Sequence, residues 1–200
     1  MEPISSRMAR LVGERYANCG FTNFEIGNDK DTAARKTVLE TVKKYAIDIE
    51  EHKRNGTNLI LIGGCGTGKD HLTTAVLRHA IQLGLVVAFT RGSSLAEKMI
   101  QAGMGGDRLD ERFVNSDILA ISDFEPKGKE TASAMVLAGY LELIDERYRR
   151  MRPTIISSNI LDRMSMAKAI GMRVVDRLLD GGIVVRMEWE SARKQRRAQS

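Results

Sequence analysis

The stretch Leu59 to Leu72, LILIGGCGTGKDHL, constrains this chain more than any other. Leu59 to Ile62 reads as a buried strand. It runs through a glycine-rich turn into Leu72, Ala75, Val76, Ala80 and Leu83, which share one helical face. Gly63, Gly68 and Lys69 have the spacing G-x-x-x-x-G-K of a phosphate-binding loop. The chemistry needs glycines, because the backbone must curl until successive N–H groups point at one anion. It also needs a helix N-terminus, whose partial positive charge favours phosphate, and a lysine that reaches the β and γ phosphates. Gly63, Gly64, Cys65, Gly66, Thr67, Gly68, Lys69, Asp70 and His71 are therefore the candidate nucleotide-binding residues. After Lys69 the motif requires Ser or Thr, whose hydroxyl ligates Mg²⁺. Asp70 stands there instead.

Composition narrows the setting. The 200 residues suffice for one domain with a core. No apolar run approaches the ~18 residues of a membrane span, and the start MEPISSRMAR lacks the apolar centre of a signal peptide. Cys19 and Cys65 are too few for a disulfide framework, which points to a reducing, cytoplasmic compartment. The net charge of +5 suits an anionic partner.

Along the chain, residues 1–30 read as an irregular lead-in arm, residues 31–190 as one domain and residues 191–200 as a basic, disordered tail. Phe21 and Phe24 either wall an adenine pocket or staple the arm to the core. Residues 31–53 predict a helix with Ala34, Val38, Val42, Tyr45 and Ile49 as its apolar stripe. Gly84 stops the loop helix, and Leu85 to Phe89 predicts a second strand. A helix over 93–101, a flexible segment at Gly103, Gly105 and Gly106, and a short helix over 107–115 follow. Ile118 to Ile121 is a third buried strand, and 125–131 a polar loop. A helix from Ala134 to Met151 precedes a fourth strand, Thr154 to Ser157. Met164 to Leu179 is mostly helical and Ile183 to Met187 is the last strand. Alternating strands and helices predict an α/β fold, a parallel sheet covered on both faces.

In such sheets ligands bind at the carboxyl ends of the strands. Ser122-Asp123 and Asn159 fall at such ends, as the loop does. Many nucleotide-hydrolysing proteins carry two acids after the third strand, the first holding Mg²⁺ and the second polarising the attacking water. Asp123 stands in the second position and Ser122 in the first. Asn159 is a candidate to orient the water or touch the γ-phosphate, or else a plain turn residue.

Taken together and in order, these elements resemble the DnaC-type helicase loaders and the related IstB-like transposition helpers, a branch of the AAA+ superfamily. Gly13-Glu14-Arg15-Tyr16 with Phe21-Thr22-Asn23-Phe24 is similar to the family's lead-in. Gly66-Thr67-Gly68-Lys69-Asp70-His71-Leu72 is similar to its GTGK-x-HL loop, and Asp117 to Asp123 to its Walker B strand. Ile144-Asp145-Glu146-Arg147-Tyr148 precedes Pro153 to Asn159, similar to its sensor strand. Arg173-Val174-Val175-Asp176-Arg177-Leu178 resembles its arginine-finger segment, and Glu188-Trp189-Glu190-Ser191 its closing motif. The resemblance implies a P-loop AAA+ core with five parallel strands, the sensor strand lying between the loop strand and the Walker B strand, and no lid domain. It implies ATP and Mg²⁺ as cofactors and single-stranded DNA as partner. It also implies a replicative helicase or transposase, and an ATP-dependent homo-oligomer in which Arg177, with Arg173, reaches a neighbour's γ-phosphate. Salt bridging on a helix is the other reading of these arginines. Arg108, Lys127 and Lys129 would face the DNA channel, and Arg193, Lys194, Arg196 and Arg197 would add a grip on phosphates.

Two departures stand out. Loaders of this family carry an N-terminal helicase-binding domain, and this chain starts at the lead-in. The residue types at Asp70 and Ser122 look exchanged relative to the family. Either the exchange preserves one carboxylate and one hydroxyl around Mg²⁺, with Asp70, Ser122 and Asp123 as metal residues, or the site is degenerate and hydrolyses nothing. The functions that follow are an ATP-dependent loader on single strands, a helper on duplex DNA, or a non-hydrolysing nucleotide-binding module.

Overall fold

A computed structural model describes residues 2–105, 110–125 and 132–191. Its centre is a sheet of β1 (Leu59–Gly63), β2 (Val87–Arg91), β3 (Ile118–Ser122), β4 (Thr154–Ser158) and β5 (Ile183–Met187). The spatial order is β2-β3-β4-β1-β5, and every neighbouring pair is parallel. Parallel neighbours must be joined by crossovers, and those crossovers put helices on both faces. The three central strands are accordingly buried at every position. Side chains alternate across the sheet. Leu59 and Leu61 enter one core, with α1 (Ile4–Val12), α2 (Thr32–Ile47), α3 (Ile49–Asn55) and α4 (Lys69–Gln82). Ile60 and Ile62 enter the other, with α5 (Gly92–Gly105), α6 (Glu111–Asn115), α7 (Ala134–Arg149), α8 (Arg163–Ile170) and α9 (Met172–Leu179).

The expected five-strand parallel sheet, with the sensor strand between the loop strand and the Walker B strand, is present. Several local expectations are corrected. Within the lead-in expected to be irregular, Ile4–Val12 forms α1, which buries Met8 completely and Val12 almost so, four residues apart on one helical face. The helix expected over 31–53 is two, divided at Asp48 (φ −88°, ψ 17°), which closes α2 on Lys44 O and opens α3. The helix expected over 164–179 is divided by Gly171 at φ 98°. The second strand starts two residues late, since Gly84 and Leu85 still donate to Ile81 O and Ala80 O at the end of α4. Gly103 and Gly105 fall in the last turn of α5, and Gly106 lies outside the described residues. The helix expected over 107–115 begins at Glu111, where Asp110 caps it by accepting from Arg112 N.

One buried cation ties the second layer together. Arg147 is 1% exposed. Its guanidinium donates to Phe113 O (2.7 Å), Ser116 O (3.0 Å), Pro153 O (2.7 Å) and Thr154 Oγ1 (3.0 Å). It thereby closes the open carbonyls of α6 and pins the entries to β3 and β4. Burial pushes its pKa down to about 9, which still leaves it charged at neutral pH. Arg147→Met should leave buried carbonyls without donors and cost on the order of 3 kcal/mol. A urea titration should show a lower midpoint at unchanged slope.

Candidate functional site

The sheet order decides what meets at its carboxyl edge. Because β4 lies between β1 and β3, Asn159 stands between the phosphate loop and Asp123. The loop itself is held by close contacts. A Cβ on Gly63 would sit 2.5 Å from Met187 O, so β5 leaves room only for glycine there. Gly68 adopts φ 99°, and a Cβ on it would also meet Phe24 Cε2 at 2.7 Å. Phe24 thus lies against the loop, edge-on to His71 with ring centres 5.4 Å apart. It also packs on the first core, as Phe21 does. His71 pairs through Nε2 with Gly20 O at 2.8 Å, and Arg78 Nε donates to Cys19 O at 3.0 Å. From the other end of the chain, Trp189 Nε1 donates to Thr67 O at 3.0 Å. Arg35 lies 5.7 Å from the centre of the Trp189 ring. The lead-in and the closing motif therefore brace one loop from two sides.

Lys69 is 5% exposed. Its Nζ donates to Gly63 O (2.6 Å), Gly64 O (2.8 Å) and Asn159 Oδ1 (2.9 Å). Burial lowers its pKa, and Asp70, Cys65, Asp123 and Glu125 oppose that shift. The Cys65 thiol, exposed in the loop, lies 3.4 Å from the same Asn159 oxygen.

Asp70 and Ser122, the two positions with exchanged residue types, are in direct contact. Ser122 Oγ donates to Asp70 Oδ1 at 2.7 Å. Ser157 Oγ donates to the same oxygen at 3.2 Å. Both serines are buried. The backbone N–H of Asp123 donates in turn to Ser157 Oγ at 3.2 Å. Asp123 holds φ 50°, a conformation Asp tolerates better than most residues and one that gathers at functional sites. Desolvation first, then Asp70 and Glu125, raise its pKa. Among the described residues no group of three His, Cys, Asp or Glu is placed to hold a metal. Mg²⁺ does not need one, since it takes one or two carboxylates, phosphates and waters. A carboxylate bonded to two hydroxyls beside a phosphate loop is an oxygen donor set of that kind, so the residues fit the ion.

Two participants escaped the sequence reading. Ser157 looked like one more residue of a buried strand. Glu125 was placed in a polar loop, yet its carboxylate accepts from Asn159 Nδ2 (2.6 Å), Asn159 N (2.9 Å) and Ser158 Oγ (3.0 Å). Its position two residues beyond Asp123 was the available signal. Arg177 lies elsewhere. Asn58, just before β1, donates to Arg177 O and Leu178 O, so the end of α9 sits at the opposite end of β1 from the loop. Arg177 Nε donates to Asp145 Oδ1 at 3.0 Å, and its guanidinium lies 4.6 Å from the centre of the Tyr148 ring. Arg173 is exposed and has no side-chain partner among the described residues. Arg108, Lys127, Lys129, Arg193, Lys194, Arg196 and Arg197 lie outside the described residues.

A parallel sheet in this order, with a phosphate loop after β1 and polar residues ending β3 and β4, defines a nucleotide-binding core of the AAA+ class. The chain belongs to the family of IstB-like ATP binding proteins, whose model matches residues 24–200. It is 30% identical over 199 residues to the replicative helicase loader DnaC of Buchnera aphidicola (subspecies Schizaphis graminum), covering 94% of this chain and 76% of that protein. The crystal structure of the DnaC helicase loader superimposes with a TM-score of 0.72 at 22% identity, covering 86% of this chain and 98% of the other. The replication initiator DnaA bound to AMPPCP and single-stranded DNA gives 0.67 at 20% identity, over 90% of this chain and 55% of that one. No described helix is long and apolar enough to cross a membrane.

Lys69→Met keeps the length of the side chain and removes the ammonium. It should weaken ATP binding at least tenfold, as read by calorimetric titration, and lower the thermal unfolding midpoint, because Gly63 O, Gly64 O and Asn159 Oδ1 lose their donor.

Proposed function

We propose that this chain is a Mg²⁺-dependent ATP-binding protein of the helicase-loader type, acting on single-stranded DNA as a homo-oligomer. The 2.7 Å contact of Ser122 with Asp70 carries the reading, because it supports an exchanged but intact metal pair rather than a decayed one. Lys69 would bind the β and γ phosphates. Asp123 would orient and deprotonate the attacking water, and Asn159 would face the γ-phosphate. Mg²⁺, held by Asp70 with Ser122 beside it, would supply charge neutralisation on the phosphates. Arg177 sits at the far end of β1 from its own chain's loop, so a nucleotide that it touches, with Arg173 beside it on α9, would belong to a neighbour. The names of the relatives support a replicative helicase as protein partner and single-stranded DNA as substrate.

The exchange has a signature. A carboxylate ~4 Å from a phosphate charge costs about 4 kcal/mol at an effective dielectric near 20, and a cation between them reverses the sign. ATP affinity should therefore fall steeply in chelator. Asp70→Thr and Ser122→Asp should each weaken magnesium-dependent binding, the first by removing the carboxylate and the second by crowding two onto one ion. The double variant should recover most of the loss, and such non-additivity is what a double-mutant cycle reads. Simple addition of the two effects would mean that the residues share no ion.

The DNA reading has its own test. Affinity for a single strand should fall with salt, the log–log slope steepening by about 0.7 per neutralised phosphate. Arg108→Ala should flatten that slope. Preference for duplex over single strands would instead favour a transposition helper, and ATP binding without turnover a non-hydrolysing module.

A further inference from the structure

The side chain of Asn159 is held between opposite charges. Its Oδ1 accepts from Lys69 Nζ at 2.9 Å, and its Nδ2 donates to Glu125 Oε1 at 2.6 Å. The two ends of an amide are told apart by their partners. Here the partners allow one answer, because an ammonium only donates and a carboxylate only accepts. The second Glu125 oxygen accepts from Asn159 N at 2.9 Å and from Ser158 Oγ at 3.0 Å, so the carboxylate grips the segment at three points. Glu125 is only partly exposed, and its first oxygen makes the shortest of the three bonds.

This orientation is wrong for a terminal phosphate. A γ-phosphate that takes Lys69 as donor arrives on the Oδ1 side of Asn159, where oxygen would face oxygen. To donate to it, the amide must turn and its bond to Glu125 must break. The backbone N–H of Asn159 and the hydroxyl of Ser158 keep Glu125 in place meanwhile. Two anions, one internal and one on the nucleotide, then compete for one N–H group. A diphosphate makes no such demand. We propose that Glu125 is a specificity-determining residue, which sets the preference of this site between nucleoside tri- and diphosphate by holding the amide donor of Asn159 away from the γ-phosphate. The inference rests on the nucleotide-binding reading above.

The test is calorimetric titration of the full chain with ADP and with a non-hydrolysable ATP analogue in magnesium, for the natural protein, Glu125→Ala, Glu125→Gln, Asn159→Ala and the double variant Glu125→Ala with Asn159→Ala. Losing a charge-assisted hydrogen bond frees the donor. Glu125→Ala should thus raise the triphosphate-to-diphosphate affinity ratio about tenfold, a difference of about 1.4 kcal/mol. Glu125→Gln, nearly the same shape and still an acceptor, should move it less and in the same direction. In the Asn159→Ala background, removing Glu125 should leave the ratio where it was. A rise that persists in that background reports only the lost negative charge and overturns the proposal. A falling ratio also overturns it, since Glu125 would then be a strut that presents Asn159 to the phosphate. An unchanged ratio with both nucleotides bound removes this proposal alone, whereas a natural protein that binds neither nucleotide removes the reading beneath it as well.

Discussion

One buried ammonium organises the functional edge of this protein. Lys69 Nζ takes one acceptor from the last residue of β1, one from the first residue of the turn after it and the third from the residue that follows β4. A charge this deep is tolerated only where its donors are satisfied, so the geometry of both strand ends is fixed by one side chain. Through Asn159 the same constraint passes to Glu125, which follows β3. Three neighbouring strands are thereby joined at their carboxyl ends by hydrogen bonds that run from an ammonium through an amide to a carboxylate. Gly63 and Gly68 permit the curl that brings the lysine back over its own loop. Phe24 and Trp189, from near the two ends of the described chain, keep that curl closed.

The carboxylate beside this chain explains why the pair Asp70 and Ser122 matters. A second acid at position 122 would leave two like charges in a partly buried site, each raising the pKa of the other. Serine removes that repulsion and donates a hydrogen bond in its place. The contact keeps one acceptor-only group and one hydroxyl at the mouth of the loop, the oxygen donors that the proposed Mg²⁺ would meet there. Asp123 already feels Asp70 and Glu125, and its raised pKa reflects that crowding after desolvation. A site with four acids, Asp70, Asp123, Glu125 and another at 122, would have been harder to hold in its charged form.

Much of this was legible in the sequence, and the reasons differ by element. The phosphate loop and the three central strands were plain because spacing and continuous apolar runs report local geometry directly. The opposition of Asp70 and Ser122 was visible only as an anomaly in residue type, and the fold turned it into a contact across 52 positions. Glu125 was missed although the resemblance already placed β4 beside β3, because an acid two residues beyond Asp123 reads locally as part of a polar loop. The helix Ile4–Val12 could have been found, since Met8 and Val12 share a face, but its few apolar positions were read as an arm. The breaks at Asp48 and Gly171 escaped for a different reason: the apolar periodicity runs on through both.

The claim on which the rest turns is that the Asp70 carboxylate is a metal ligand and not a remnant. Crystals grown with Mn²⁺ and a non-hydrolysable ATP analogue test it directly, because manganese is located by its anomalous scattering. The predicted result is one peak bonded to the Asp70 carboxylate and to the nucleotide phosphates, with Ser122 beside it. Nucleotide bound in the loop with the metal away from Asp70, or with no metal at all, would contradict the claim.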